Sequence, residues 1–182
     1  MEAQFLIAGF GGQGVLLIGQ LLAKAAMHEG QNVSWMPSYG PEMRGGEANC
    51  AVVISDEPIG SPLVTEPPVA VLMNLPSLQK FEPTMEPGGI LLYNTSLVAA
   101  VPKRSDIKII PVPCNDIAEE LGNSRVANMV MMGAIIQATG VISIDSAMEA
   151  LSESFGEKRA NLLPLNREAM EKGMAAVTAV MN

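Results

Sequence analysis

The sequence predicts a single α/β domain in which a mostly parallel β-sheet is covered by helices on both faces. Short apolar runs alternate with segments of helical periodicity along the chain, and a glycine-rich turn joins the first strand to the first helix. The run from Val69 to Asn74 is continuously apolar at its start, as in strands buried on both faces. The domain is predicted to span residues 1–182, because neither half would bury a core of its own.

The first strand is predicted at Phe5 to Ala8, and the first helix from Gln13 to about Glu29. Within this helix, Gly19 would let the apolar face approach the sheet closely, and Gly30 ends the helix. The next strand, at residues 32–36, ends before Pro37 and completes a βαβ unit with parallel strands. The remaining strands are predicted at residues 48–55, 69–74, 90–93 and 107–112.

Helices are predicted throughout the second half of the chain. The one at residues 126–139, opened by Arg125, is apolar on nearly every side, so it should be buried in the domain or against another chain. If the helix is buried against another chain, the isolated chain could form a homodimer. Capping residues predict further helices at residues 75–81, at residues 117–121 after Asn115 or Asp116, at residues 147–154 with the capping pair Ser146 and Glu149, and after Asn166.

The composition excludes several classes of function. A net charge of −8 and a pI near 4.6 argue against nucleic acid as a partner, because nucleic-acid binding needs a basic face. No stretch approaches the roughly 18 apolar residues of a membrane span, and the N-terminus does not resemble a secretory leader. We therefore expect a cytoplasmic protein without a membrane partner.

Cysteine and histidine are scarce. Cys50 and Cys114 are far apart and His28 is the single histidine, so the chain cannot by itself hold an iron–sulfur cluster or a structural zinc. Both cysteines are expected in the core and His28 facing solvent near the end of the first helix. No residue is predicted to be catalytic or to bind a metal.

The glycine turn is the main candidate for a binding site. Gly9, Gly11 and Gly14 spell GxGxxG between the first strand and the first helix. Such a turn brings backbone N–H groups and the positive end of a helix dipole to a phosphate, or it simply packs helix and strand closely. The acidic residue that binds ribose in NAD-dependent enzymes is missing at the end of the second strand, which weakens a dinucleotide interpretation.

A second unusual segment, from Ser38 to Gly46, follows that strand. It contains glycines, a proline and the pair Glu42 and Arg44, and a loop at the carboxyl end of a strand is where open α/β folds bind ligands. The alternative is a rigid connector. Arg44 is either an anion ligand or an exposed ion-pair partner of Glu42 or Glu47.

Five segments, in order, carry a resemblance to a known family. The chain resembles the γ subunit (γ domain) of the 2-oxoacid:ferredoxin oxidoreductases, which oxidatively decarboxylate pyruvate, 2-oxoglutarate, branched-chain oxoacids or indolepyruvate to acyl-CoA. The matching segments are residues 9–15 (GFGGQGV), 38–46 (SYGPEMRGG), 55–59 (SDEPI), 73–78 (MNLPSL) and 125–129 (RVANM). They span nearly the whole domain.

This resemblance implies a Rossmann-like domain that packs on catalytic partners. In the family, thiamine diphosphate with Mg²⁺ and the iron–sulfur clusters lie on thiamine-binding and ferredoxin-like subunits. The resemblance therefore implies no cofactor tightly bound to this chain, which would support assembly and handle coenzyme A. Alternatives are a stand-alone NAD- or FAD-dependent oxidoreductase, which uses the same GxGxxG, and a purely structural interaction module.

The expected ligand contacts combine both unusual segments. We expect the amides of residues 11–14 and the side chain of Arg44 to meet the phosphates of coenzyme A. The segment at residues 35–46 resembles the 2-oxoglutarate and branched-chain members more than the pyruvate members, and we favour 2-oxoglutarate. The candidate binding residues are Gly9, Gly11, Gly12, Gln13, Gly14, Tyr39, Glu42, Arg44 and Asn74.

Overall fold

The computed structural model describes residues 1–39 and 46–181. Its strands are β1 (Glu2–Phe10), β2 (Asn32–Tyr39), β3 (Glu47–Ser55), β4 (Val69–Leu72), β5 (Ile90–Asn94) and β6 (Lys108–Val112). Its helices are α1 (Val15–His28), α2 (Leu75–Phe81), α3 (Cys114–Glu120), α4 (Ala127–Thr139), α5 (Ile144–Phe155) and α6 (Leu163–Met181). Short 3₁₀ segments lie at Glu82–Thr84, Ser124–Val126 and Glu157–Leu162.

The strands form one six-stranded sheet in the order β2-β3-β1-β4-β5-β6. β4 pairs parallel with β1, β5 with β4, and β6 with β5. β3 is antiparallel to both of its neighbours, β1 and β2. The predicted mostly parallel α/β sheet is therefore confirmed, with one antiparallel strand inserted between the two strands of the first βαβ unit.

The two faces of the sheet are covered unequally. Side chains such as Ile7 and Val71 belong to a large core that includes residues of α1, α3, α4, α5 and α6. Their neighbours along the strands, Ala8 and Leu72, belong to a smaller core that includes Leu78 of α2. This alternation follows from the two-residue repeat of a strand, and it places helices on both faces, as predicted.

Gly19 lets α1 lie directly on the sheet. A Cβ atom at this position would come within 2.4 Å of the Cys50 sulfur and 3.1 Å of the Trp35 ring nitrogen. The predicted close approach of α1 to the sheet is confirmed, since only a residue without a side chain fits there.

The apolar helix α4 is buried within the chain itself. Every residue from Ala127 to Ile136 is buried, and the helix crosses α6 where Gly133 faces Gly173. Of the two alternatives for this helix, burial in the domain is correct. Among the described residues, no helix is both long enough and apolar enough to cross a membrane.

Several predicted helix starts are wrong by a few residues. α5 begins earlier than predicted, and its cap is the Ser143 hydroxyl, which accepts the Ser146 N–H at 3.1 Å. Asn166 lies inside α6, where its side-chain amide donates to the Leu162 carbonyl at 2.8 Å instead of capping the helix. Asn115 and Asp116 lie inside α3, and the Ser96 hydroxyl accepts both of their N–H groups.

β2 continues past Pro37 to Tyr39, whereas the sequence predicted that it would end before the proline. The proline is tolerated because β2 lies at the edge of the sheet, where its missing N–H need not face a partner strand.

Candidate functional site

The candidate site lies at the carboxyl ends of the two central strands, β1 and β4. The glycine turn leaves β1 after Phe10 and enters α1 at Val15. Gly12 and Gly14 have φ angles of 98° and 75°, in the left-handed region that glycine adopts without strain. The predicted strand–turn–helix unit is confirmed, and two of its glycines are required by the backbone conformation itself.

The Gln13 side chain is hydrogen-bonded to β1 and to the residue directly after β4. Its Oε1 accepts a hydrogen bond from the Phe10 N–H at 2.7 Å, and its Nε2 donates to the Met73 carbonyl at 3.3 Å. A Cβ atom at Gly9 would lie 2.5 Å from the same Oε1, so Gly9 makes room for the glutamine. Gln13 therefore fixes the shape of the turn across β1 and the end of β4.

Asn74 caps the next helix beside the turn. Its Oδ1 accepts the Ser77 N–H at 2.9 Å at the start of α2, and its Nδ2 donates to Gln13 Oε1 at 3.4 Å. The residue is only 3% exposed. Gln13 and Asn74 thus form one hydrogen-bonded unit beside the glycine turn, and their predicted binding of a ligand stays a prediction.

The N-terminus of α1 lacks a side-chain cap among the described residues. Its N-cap is Gly14, and the first turn contains no acidic residue. The initial N–H groups of a helix lack intrahelical partners and lie at the positive end of its dipole. The Gly11 N–H, in contrast, is already used, since it donates to the Gly46 carbonyl at 2.8 Å.

A cavity of about 180 Å³ lies on one side of the turn. Its walls come from the turn, from the segment after β5, and from the start of α3 and α4, and no carboxylate lines it. The residues lining the cavity are Gly12, Gln13, Met73, Leu97, Asn115, Ser124, Arg125, Ala127 and Asn128. We call this space the Arg125 cavity.

A second cavity, of about 160 Å³, lies on the other side of β1. It includes Gly9, Phe10 and Asn74 together with an ion pair between Lys80 and Glu47, whose charged atoms are 2.6 Å apart. Because Lys80 already has a carboxylate partner, this cavity offers less free positive charge than the Arg125 cavity.

The structure brings most of the predicted binding residues together. Residues 9 and 11–14 form the turn, and Asn74 is hydrogen-bonded to it. Tyr39 lies at the end of β2, which is separated from β1 by β3. Glu42 and Arg44 lie outside the described residues, so their predicted roles stay predictions.

The inserted strand bears on the dinucleotide interpretation. Adjacent strands are about 4.8 Å apart, so the end of β2 lies roughly 10 Å from β1 in the sheet. In a dinucleotide-binding fold, these two strands are neighbours, and the end of the second one reaches the ribose. The strand order therefore argues against that binding mode, in addition to the missing carboxylate.

Seven of the nine lining residues were not predicted as site residues from the sequence, and the polar ones among them are Asn115, Ser124, Arg125 and Asn128. One signal was present, since Asn128 is a polar residue in the first turn of an otherwise apolar helix. Buried polar side chains normally need a hydrogen-bond partner, so such a residue points to a specific contact. Residues 124–128 lie beside the glycine turn, which is more than a hundred residues earlier in the chain. No sequence pattern predicts this contact.

Both cysteines are buried, as predicted, and are poor nucleophiles. Burial raises the pKa of the Cys50 thiol to about 12, although the Trp35 ring N–H and the Gly19 backbone partly oppose the shift. Burial also raises the pKa of the Cys114 thiol. A reactive cysteine needs a lowered pKa, so neither thiol fits covalent catalysis.

His28 is exposed at the end of α1, as predicted, and lies far from the turn in the chain. Its ring nitrogens face carboxylates of α5, with Nδ1 3.4 Å from Glu149 and Nε2 3.3 Å from Glu153. Because each nitrogen faces a different carboxylate, the geometry fits a bridge between α1 and α5 when the ring is protonated.

Comparison with known proteins identifies the family. A model of the pyruvate ferredoxin/flavodoxin oxidoreductase family matches residues 4–176. The chain belongs to this family.

Two relatives illustrate how the chain aligns. It is 44% identical over 174 residues to the ketoisovalerate oxidoreductase subunit VorA of Methanothermobacter marburgensis, covering 94% of this chain but 36% of that protein. It is 38% identical to the 2-oxoglutarate synthase subunit KorC of Methanothermobacter thermautotrophicus, covering 95% of this chain and 97% of that protein. The chain thus spans about a third of VorA and nearly all of KorC.

Solved structures give the same picture. A keto/oxoacid ferredoxin oxidoreductase γ subunit from Geobacter sulfurreducens superposes with a TM-score of 0.82 at 29% identity, covering 97% of this chain and 99% of that chain. A 2-oxoglutarate:ferredoxin oxidoreductase from Magnetococcus marinus, with 2-oxoglutarate, coenzyme A and succinyl-CoA bound, gives a TM-score of 0.90 at 28% identity. The superposition covers 98% of this chain and 31% of the Magnetococcus marinus chain.

Proposed function

We propose that this chain is the γ subunit of a multisubunit 2-oxoacid:ferredoxin oxidoreductase, which oxidatively decarboxylates a 2-oxoacid to acyl-CoA. The observation that carries the proposal is the end-to-end match with KorC, in which 95% of this chain aligns with 97% of the relative. The chain therefore aligns with nearly the whole of a relative named as a subunit of 2-oxoglutarate synthase.

In this role the chain supports assembly and leaves the redox chemistry to its partners. Thiamine diphosphate, Mg²⁺ and the iron–sulfur clusters belong on thiamine-binding and ferredoxin-like subunits. Two buried, separate cysteines and one histidine support this division, because they provide too few ligands for a cluster. The residues present therefore do not fit an iron–sulfur cluster held by this chain alone.

The substrate we favour is 2-oxoglutarate, and ketoisovalerate is the second candidate. The full-length relative KorC supports 2-oxoglutarate. The higher identity of 44% with VorA favours ketoisovalerate, although that match covers 36% of VorA. Purified complex assayed with 2-oxoglutarate, ketoisovalerate and pyruvate decides between them: the ratio of kcat/KM values should favour 2-oxoglutarate, and a higher value for ketoisovalerate would reverse the assignment.

The glycine turn is proposed to handle coenzyme A. The uncapped N-terminus of α1 supports this, since it offers N–H donors and a favourable dipole to a phosphate. Arg44 is proposed as a further phosphate contact. Isothermal titration of the assembled complex with coenzyme A tests this role, because an unchanged affinity in Arg44→Ala would contradict it.

Two other functions make different predictions. A stand-alone NAD- or FAD-dependent oxidoreductase requires nucleotide binding by the isolated chain, and equilibrium dialysis without binding removes it. A purely structural module predicts that substitutions in the glycine turn affect assembly and never the use of coenzyme A. The γ-subunit proposal predicts a colourless isolated chain without oxoacid:acceptor activity.

A further inference from the structure

The Arg125 cavity combines features that favour a negatively charged ligand. One wall is the glycine turn that leads into the uncapped N-terminus of α1. None of the nine residues that line the cavity is acidic, although the whole chain has a net charge of −8. An anion is therefore attracted locally by the helix dipole and meets no lining carboxylate.

Arg125 supplies a cation on the opposite wall. Two other arginines of the chain pair with carboxylates: Arg104 with Asp106, and Arg167 with Asp145 at 3.0 Å. Arg125 is exposed, and in residues 1–39 and 46–181 it has no such partner. Its planar guanidinium can therefore donate two parallel hydrogen bonds to a phosphate that enters the cavity.

Asn128 provides an independent sign that a ligand belongs there. The residue is only 9% exposed, lines the cavity, and has no hydrogen-bond partner for its side chain among the residues that the structure describes. Its Nδ2 lies against the turn, since a Cβ atom at Gly14 would be 2.4 Å away from it. An amide that lines a cavity without such a partner is available to donate a hydrogen bond to a ligand that enters it.

We propose that the Arg125 cavity binds a phosphoryl group, held by the Arg125 guanidinium, the Ser124 hydroxyl and the Asn128 amide opposite the N-terminus of α1. A volume of about 180 Å³ suits such a group, whereas whole drug-sized ligands occupy about 300 Å³ or more. The assignment of this group to coenzyme A rests on the proposed function. The anion site itself stands on the geometry of residues 12–14 and 124–128.

The experiment is isothermal titration of the purified full chain, and of the complex containing it, with coenzyme A, dephospho-coenzyme A and inorganic phosphate. Arg125→Ala should weaken coenzyme A binding by about tenfold or more, because a charge-assisted hydrogen bond is lost. Arg159→Ala is the matched control: it removes the same charge from an exposed arginine that stacks on Phe155, and affinity should not change. Circular dichroism melting confirms that each variant is folded.

Asn128→Asp tests the sign of the charge that the cavity accepts. The substitution keeps the shape of the side chain but replaces a donor by a carboxylate, so affinity for the phosphoryl ligand should fall by tenfold or more. Equal affinities for Arg125→Ala and Arg159→Ala, or tighter binding in Asn128→Asp, would overturn the anion site. Absence of binding to the chain and to the complex would overturn it as well.

The ligand series separates the possible sources of the phosphoryl group and separates this proposal from the function of the chain. Arg125-dependent binding of coenzyme A supports the assignment to the coenzyme, and a loss with dephospho-coenzyme A places the 3′-phosphate in the cavity. Arg125-dependent binding of inorganic phosphate alone overturns that assignment and keeps the anion site. If the complex uses coenzyme A with an unchanged KM in Arg125→Ala, the assignment of the cavity to coenzyme A fails while the γ-subunit function stands.

Discussion

Gly12 and Gly14 share a left-handed backbone but differ in their surroundings. Among the described residues, nothing lies within 4 Å of a Cβ atom built on Gly12, whereas one on Gly14 would meet the Asn128 amide at 2.4 Å. An L-residue in this conformation costs roughly 1–2 kcal/mol by itself. Gly14 therefore has two reasons to be glycine, and Gly12 has one.

Paired alanine substitutions separate these two reasons. Gly12→Ala should lower the free energy of unfolding by about 1–2 kcal/mol. Gly14→Ala should lower it by about 1–3 kcal/mol more, because the new methyl group displaces the buried Asn128 side chain. Urea denaturation measures both. Equal losses would contradict the packing role of Gly14.

Gln13 gives a second prediction for single residues. Its side chain links Phe10, Met73 and Asn74, so Gln13→Ala removes several hydrogen bonds around the turn. We expect a loss of about 1–3 kcal/mol in the free energy of unfolding and faster hydrogen exchange at the Phe10 amide. Gln4→Ala is the control, because the Gln4 side chain donates to the exposed Glu2 carboxylate, away from the turn. Unchanged exchange at Phe10 would contradict this role.

The need for glycine in the turn could be predicted from the sequence, because GxGxxG between a strand and a helix has a known backbone geometry. The roles of Gln13 and Asn74 could not be predicted in the same way. Their predicted ligand contacts stay predictions, and the structure adds that both side chains hydrogen-bond to the protein around the turn. A polar residue beside a turn gives the same sequence pattern whether its side chain binds a ligand or hydrogen-bonds to the protein.

Helices α4 and α6 cross so closely that only glycine fits at the contact. A Cβ atom on Gly133 would lie 1.9 Å from the Met170 carbonyl oxygen, and one on Gly173 would lie 1.9 Å from the Val130 carbonyl oxygen. These neighbours are backbone atoms, so the helices themselves must separate to admit a methyl group.

We therefore expect Gly133→Ala and Gly173→Ala each to lower the free energy of unfolding by about 1–3 kcal/mol or more. Gly60→Ala is the matched control, because nothing lies within 4 Å of a Cβ atom there. Chemical denaturation of the three variants measures the difference. A control variant as destabilised as the other two would contradict the proposed close crossing.

The contact between the end of α1 and the start of α5 depends on pH. Partial burial raises the pKa of Glu29, but the Ser143 N–H and the hydroxyls of Ser146 and Ser143 outweigh it, so the pKa is lowered. The Ser143 N–H donates to the carboxylate at 2.7 Å. Since the folded-state pKa is below the unfolded one, this contact stabilises the fold above the unfolded pKa and is lost as pH falls through the folded value.

Glu29→Gln should therefore lower the melting temperature at pH 7, and the difference from the native chain should shrink as the pH falls below about 4. The exposed Glu168→Gln serves as the control and should show a smaller effect at pH 7. Melting curves between pH 3 and pH 8 provide the measurement. A difference that stays constant over this range would exclude the carboxylate as its source.

At the scale of elements, their types were predictable and several ends were not. Helical and strand periodicity is local, so α1, α4 and the buried strands were found. The caps of α3 and α5 were misassigned, because the Ser96 hydroxyl at the start of α3 comes from another segment and Ser143 competes with Ser146 nearby. The predicted end of β2 before Pro37 is wrong, because the proline is tolerated at the edge of the sheet. That edge position depends on the order of the strands, which the sequence does not show.

The whole molecule is a sheet with one antiparallel strand between the two strands of its first βαβ unit. That order could not be predicted from the sequence, because the apolar pattern of β3 specifies its faces but not its neighbours. The order matters for function, since it moves the end of β2 away from the glycine turn. The turn faces the Arg125 cavity, whose other walls include Asn115, Ser124 and Asn128, more than a hundred residues further along the chain.

The central claim is that this chain serves a 2-oxoacid oxidoreductase as a subunit without redox centres of its own. The most direct measurement is to purify the chain with its partners and follow acceptor reduction with 2-oxoglutarate and coenzyme A, with and without the chain. We predict that reduction requires both substrates and the chain, and that the chain alone is colourless and inactive. Undiminished coenzyme A-dependent reduction without the chain, or hydride transfer by the chain alone with bound NAD or FAD, would contradict the account.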